Sequence, residues 1–218
     1  MIIAIDGPAG AGKSTVAKIL AQRLGFLYID TGAMYRALTL EALEQNIDIR
    51  DSERLVKMAA TSSIDLVSRS GNLRVLLDGR DVSKEIREPR VTKLVSDLAK
   101  IKGVREAMLK LQRALGKESD SVLEGRDIGT VVFPDAEKKF YLDAKFGERV
   151  DRRYKELKET NREVKSEEVA QDLNNRDTID SSREFAPLKK AEDAVYIDTT
   201  SLGIEEVVQT LLKYIAQE

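Results

Sequence analysis

The chain has 218 residues, 42% hydrophobic and 34% charged, enough for one substantial core, alone or with an insert, and too short for two large independent domains. It contains no cysteine and no histidine, which excludes disulfides, thiol nucleophiles, imidazole bases, serine–histidine triads and ordinary zinc sites. Its 36 Lys and Arg against 38 Asp and Glu give a formal net charge of -2, so no global positive field favours nucleic acid or acidic membrane, and neither is an expected partner.

Ile2 to Ile5 is a short apolar run closing on a glycine-rich turn. After the turn Val16, Ile19, Leu20 and Leu24 recur at helical spacing up to Gly25, predicting strand, loop and helix in that order. Phe26 to Ile29 predicts a second strand, followed by Asp30-Thr31-Gly32 and a helix through roughly Gln45. A βαβ start implies a parallel sheet. Between about Ser63 and Asp81, Ile64, Leu66, Leu73, Val75 and Leu77 alternate around Ser70-Gly71-Asn72, the pattern of an antiparallel hairpin insert. Helical patterns follow at about 91–102 and 104–115. The runs at Val122-Leu123, 139–142 and 194–197 complete an expected sheet of about five strands, an α/β core. Gly147 to Arg183 reads as too polar to be core. One internal echo, 77–81 against 123–127, reads as two similar turns. No cationic leader or membrane-length apolar run is present, so the cytoplasm is the expected compartment.

Gly7-Pro8-Ala9-Gly10-Ala11-Gly12-Lys13-Ser14 satisfies the phosphate-binding loop pattern in full, between a strand and a helix as its mechanism requires. Glycines let backbone N–H groups turn inward around a phosphate, and the following helix adds its positive end. Lys13 supplies a point charge to the β/γ-phosphates. Ser14 offers a hydroxyl to Mg²⁺. ATP or GTP with magnesium is the expected ligand. A plain glycine-rich turn with an exposed lysine is the alternative. No Asn-Lys-x-Asp guanine-reading segment is present, and no long apolar strand ending in an acidic pair. Arginines stand beside turns instead: Arg36, Arg105, Arg126, Arg176 and Arg183, with Arg149, Arg152 and Arg153 in the polar stretch. Their forks bind phosphate, and two phosphorylated substrates need such neutralisation before they can approach; each arginine alone also suits a surface ion pair. Arg149 and Arg153 are like charges at i, i+4, a repulsion that a bound polyphosphate would offset.

Gly7 to Ser14, Asp30-Thr31-Gly32-Ala33-Met34-Tyr35-Arg36, Val104-Arg105-Glu106, the run Glu124 to Pro134, and Asn175-Arg176-Asp177 through Asp180 and Arg183 together make the chain resemble the bacterial-type cytidylate kinase family from end to end. The resemblance implies a P-loop nucleoside monophosphate kinase fold with an acceptor-binding insert at about 36–103 and a helical lid at about 147–165. It implies transfer of the γ-phosphoryl of ATP to CMP or dCMP, with Mg²⁺ held through Ser14. It gives Thr31, Arg105, Asp127 and Arg183 to the acceptor base, Ser96, Arg176 and Asp180 to the pentose, and counts Tyr35 among the substrate-binding residues. Arg36 and Arg126 fall to the acceptor phosphate, and Lys13 to the transferred group. The loop from Gly7 through Ser14 and Thr15 would hold ATP, with Arg149 over the adenine and Arg153 towards the phosphates. Arg152 lies on another side of its helix, where a solvated role is equally open. Asp30 is a candidate carboxylate behind the magnesium. A monomer is expected. The alternatives are a P-loop kinase acting on a metabolite hydroxyl, with Asp127 as general base, and a nucleotide-dependent regulatory module.

Overall fold

Alternation along the first strand decides which helices cover each face of the sheet. In the computed structural model, which describes residues 1–69, 72–159 and 164–217, β1 (Ile2–Asp6) turns Ile3 and Ile5 to one side and Ala4 to the other, all fully buried. Burial on both faces of a strand is what a central parallel position requires. β1 pairs in parallel with β6 (Ser121–Gly125) and β7 (Lys138–Asp143), β2 (Leu27–Asp30) lies beyond β6, and β8 (Val195–Asp198) beyond β7. The resulting five-stranded order is β2-β6-β1-β7-β8, so the parallel α/β core expected from the sequence is present.

On one face Ile3, Ile5, Val122 and Phe140 pack against Val16 and Leu20 of α1 (Lys13–Leu24) and Val208 and Leu211 of α8 (Ile204–Ala216). On the other, Ala4, Ile29 and Leu123 meet α2 (Thr31–Glu44), α3 (Ser52–Thr61), α4 (Pro89–Ala99) and α5 (Lys102–Gly116). The same core takes in Ile64, Val75 and Leu77 of an antiparallel sheet, β3 (Ile64–Arg69), β4 (Asn72–Leu77) and β5 (Arg80–Asp81). The hairpin reading of that segment holds, with Ile64 opposite Leu77 and a third short strand added; the expected tip residues Ser70 and Gly71 lie outside the described residues. Each fully buried aliphatic side chain in these layers contributes about 1.5–3 kcal/mol.

Two expectations need correction. The echo at 77–81 and 123–127 is not a pair of turns. Asp78 and Gly79 form a turn with both φ positive, whereas residues 121–125 are strand β6. The polar stretch forms α6 (Phe146–Glu159) and α7 (Ser166–Ser182), whose Val150, Val169 and Leu173 build a small core of their own with Ala9. Of the expected lid, residues 160–163 lie outside the described residues. No helix among the described residues is long and apolar enough to cross a membrane.

Candidate active site

The C-terminal ends of β1, β2 and β6 open into a cleft of about 790 Å³, the position that an open parallel sheet offers a ligand. Gly10 and Gly12 take φ of 79° and 86°, left-handed values that glycine adopts without a Cβ penalty. Gly12 caps α1, so Lys13 and Ser14 stand in its first turn, where unpaired N–H groups and the helix dipole favour an anion. Lys13 is 5% exposed and donates from Nζ to Pro8 O at 2.6 Å. Burial, with Arg126 nearby, lowers its pKa to about 7.

The carboxylate beside Ser14 is Glu124, the C-terminal part of β6, and sequence reasoning assigned it no role. Ser14 Oγ donates to Glu124 Oε2 at 2.9 Å and Tyr28 OH to Oε1 at 2.5 Å. Burial and neighbouring Asp30 raise the Glu124 pKa, against the opposing pull of Lys13. Asp30, expected behind the magnesium, is otherwise engaged. Its Oδ1 accepts from Ala33 N at 2.7 Å, capping α2, and its Oδ2 from Arg36 at 3.1 Å. The sequence signal for Glu124 was its place: parallel order puts the end of the neighbouring strand beside the loop that follows β1.

The residues expected on the acceptor side converge. Thr31, Tyr35, Arg36, Ser96, Arg105, Arg126, Asp127, Arg176, Asp180 and Arg183 all line the cleft. Asp127 is 5% exposed and meets Arg105 Nη2 at 2.5 Å and Arg183 Nη2 at 3.5 Å. Thr31 Oγ1 donates to Glu124 O at 2.7 Å, and a Cβ on Gly125 would stand 2.8 Å from that hydroxyl oxygen, so only glycine allows this approach. Arg126 Nε donates to Asp180 at 2.9 Å. The Arg105 guanidinium lies over the Tyr35 ring, 5.3 Å from its centroid. Arg36, Arg105 and Arg176 each keep a buried Nε with no hydrogen-bond partner, and burial beside Arg126 lowers the Arg176 pKa to about 10. Buried guanidinium donors left unsatisfied in one cleft suit an anionic ligand.

The helical pair departs from expectation. Arg149 does not line the cleft. It is 8% exposed and donates to Ala9 O at 3.0 Å, to Ala144 O at 3.1 Å and to the Asp177 carboxylate. Asp177 in turn accepts from Ala9 N at 3.2 Å, so one ion pair grips both backbone groups of Ala9 in the phosphate loop. Arg153 bonds Glu156 at 2.8 Å and lines the cleft. The like-charge pair therefore has two carboxylate partners and needs no polyphosphate to offset it. Arg152 is partly exposed and also engaged: it donates to Thr199 O at 2.6 Å and Thr199 Oγ1 at 3.0 Å, tying α6 to the loop after β8. Removing Asp177 leaves Arg149 buried without a counter-charge, so Asp177→Ala should lower unfolding stability by about 3 kcal/mol. Urea denaturation checks this, and a loss below about 0.5 kcal/mol would mean that the clamp adds nothing to the fold.

A phosphate loop, a carboxylate on its serine, and an arginine-lined pocket in the same cleft are the parts of a P-loop kinase. A family model described as cytidylate kinase matches residues 3–217. The chain is 54% identical over 213 residues to a cytidylate kinase of Caldanaerobacter subterraneus subsp. tengcongensis, covering 98% of this chain and 93% of that one. It is 47% identical over 216 residues to the cytidylate kinase of Bacillus subtilis, at 99% and 96% coverage. The chain belongs to the cytidylate kinase family. A solved structure of an uncharacterized protein from Eubacterium ventriosum shares the fold at a TM-score of 0.55 and 12% identity, over 100% of this chain and 99% of that one.

Proposed function

We propose that the protein transfers the γ-phosphoryl group of ATP to CMP or dCMP, giving ADP and CDP or dCDP. The observation that carries this reading is Asp127, held by Arg105 and Arg183 in the same cleft as Lys13. A carboxylate accepts from the N4 amino group of cytosine and opposes the O4 of uracil. Arg105 and Arg183 donate to the base O2 and N3, with Thr31 and Tyr35 beside them. Ser96, Arg176 and Asp180 meet the pentose. Arg36 and Arg126 hold the acceptor phosphate, whose second pKa near 6 leaves it largely dianionic at neutral pH, so no general base is needed. Lys13 follows the transferring group and balances the charge it spreads over its oxygens.

Gly7 to Thr15 cradle the donor phosphates. Arg153 of the lid, 147–165, faces them, and Arg149 serves the donor by fixing Ala9. The insert, 36–103, contributes Arg36 and Ser96 to the acceptor side. Magnesium fits the donor set: Ser14 Oγ and the Glu124 carboxylate are hard oxygen ligands side by side. No group of three Asp, Glu, His or Cys side chains placed to hold a metal exists among the described residues, so waters and phosphate oxygens would complete the shell. When bound, the ion supplies charge neutralisation at the β- and γ-phosphates. Arg36 and Arg126 do the same for the acceptor with no metal. The protein works as a monomer in the cytoplasm, without nucleic acid or membrane as partner; the small net charge of -2 supports only the lack of nucleic-acid and acidic-membrane binding.

An ADP-release assay with CMP, dCMP, UMP, AMP and shikimate as acceptors tests the reaction. CMP and dCMP should stimulate turnover, and stimulation by shikimate alone would favour the hydroxyl kinase. The low pKa of Lys13 adds a pH signature. Polyphosphate beside the amine restores its proton, so ATP binding should take up protons above pH 7, and affinity should fall as pH rises from 7 to 9. Titration calorimetry in buffers of different ionisation enthalpy measures this. Equal apparent enthalpies at pH 8 would mean that Lys13 is already charged in the free enzyme.

A further inference from the structure

Asp127 stands at the cap position of a helical turn and does not cap it. Residues Ile128–Val132 form a π-helical turn in which Val132 N donates to Asp127 O and Phe133 N to Ile128 O, at 3.1 and 2.7 Å. An aspartate preceding such a turn ordinarily accepts one of its free leading N–H groups. Here the Asp127 side chain makes no capping bond. The leading amides go instead to Asp6, at the end of β1: Ile128 N donates to Oδ1 and Gly129 N to Oδ2, both at 2.8 Å. Asp6 is 4% exposed. In register it lies opposite Gly125, one residue before Gly7 and the phosphate loop. Both its oxygens are used by this turn.

We propose that Asp6 is a specificity-positioning residue: by capping the turn that Asp127 would otherwise cap, it leaves the Asp127 carboxylate to Arg105, Arg183 and the acceptor base. The inference rests on Asp127 reading the base. It adds a mechanical link, because the strand that ends in the donor loop also sets the residue that selects the acceptor. Burial of a charged carboxylate is costly unless its oxygens are hydrogen-bonded, and the two amides supply that at a position where an apolar residue would pack more cheaply.

If Asp6 is removed, two N–H groups lie open within reach of Asp127, and the aspartate turns back to cap its own helix. Asp6→Asn leaves one acceptor and sets an NH₂ against the second amide; Asp6→Ala frees both. The experiment measures kcat/KM for CMP and UMP, and the ATP Kd without acceptor, for wild type, both Asp6 variants, Asp127→Asn and the double variant Asp6→Ala/Asp127→Asn. The CMP-to-UMP ratio should fall about tenfold or more in the Asp6 variants, with the ATP Kd within about twofold of wild type. The double variant should be no less selective than Asp127→Asn alone, the mark of one shared pathway. A crystal structure of Asp6→Ala should show the Asp127 carboxylate on the freed Gly129 amide.

Loss of CMP and UMP turnover in parallel, with the ratio kept, would overturn the proposal and leave Asp6 a structural residue. So would weakened ATP binding in step with CMP. Should Asp6→Ala not fold, Asp6→Asn decides by the same ratio. A wild type indifferent between CMP and UMP, or an Asp127→Asn that keeps full discrimination, would count against the base-reading role itself. Wild-type selectivity lost in Asp127→Asn and retained in Asp6→Asn would overturn the Asp6 assignment alone.

Discussion

Asp127→Asn should cost CMP most of its advantage over UMP, narrowing a wild-type ratio of up to about 10⁴ in kcat/KM to within about tenfold. The wild-type ratio arises because uracil O4 would face a 5%-exposed carboxylate without giving it a hydrogen bond, and a polar pocket rejects a ligand that leaves its buried groups unpaired. Asparagine has nearly the same shape. Its carbonyl still accepts from N4, while its amide can donate to O4, so UMP gains and CMP loses. Arg105 and Arg183, bonded to Asp127 at 2.5 and 3.5 Å, also lose their counter-charge, and most of the change should fall on CMP. ATP binding without acceptor should be unaltered, since no donor contact runs through Asp127. Steady-state kinetics with both acceptors read this directly; an intact ratio with all turnover gone would turn the assignment towards proton abstraction by Asp127.

Lys13→Met should lower kcat by about 10²–10³ and yet leave a more stable protein. The kinetic loss follows from taking away the cation proposed to follow the transferring phosphoryl. The gain in stability follows from the lysine itself, whose pKa burial lowers to about 7. For a base whose pKa is lower in the folded state, the charged form opposes folding. That penalty is fully present below pH 7 and disappears as pH rises towards 10.5, the ordinary lysine value. Methionine fills the space without the charge, so at pH 6.5 the variant should unfold at a higher temperature than wild type, with the gap closing above pH 10. A Tm below wild type at pH 6.5 would show that Pro8 O and the nearby carboxylates more than compensate the ammonium.

The sequence made the donor half of this site readable and left part of its support hidden. Gly7 to Ser14 could be read because a phosphate loop is one contiguous segment whose glycines, lysine and hydroxyl have fixed spacing. The strands were legible from short apolar runs, and β1 alternation matched its two covered faces. The acceptor residues are scattered from Thr31 to Arg183, so their convergence in one cleft was available only through resemblance, and the fold supplies its geometric reason. Glu124 and Asp6 escaped because a carboxylate at a strand end carries no local signature; its role depends on which strand lies alongside. The partners of Arg149 were hidden for the same reason. Periodicity gives the face of α6 on which it lies, but not that Asp177 and the Ala9 carbonyl wait there in α7 and the phosphate loop.

The most direct measurement sets CMP and UMP in competition for γ-labelled ATP in a single reaction at neutral pH, with products separated and located by phosphorus NMR. Label should enter the β-position of CDP, in excess over UDP by about 10³ or more. Comparable labelling of UDP, or label appearing as a phosphate ester on a sugar or alcohol hydroxyl, would contradict a site in which Asp127 selects cytosine and Arg36 and Arg126 present its phosphate to the donor.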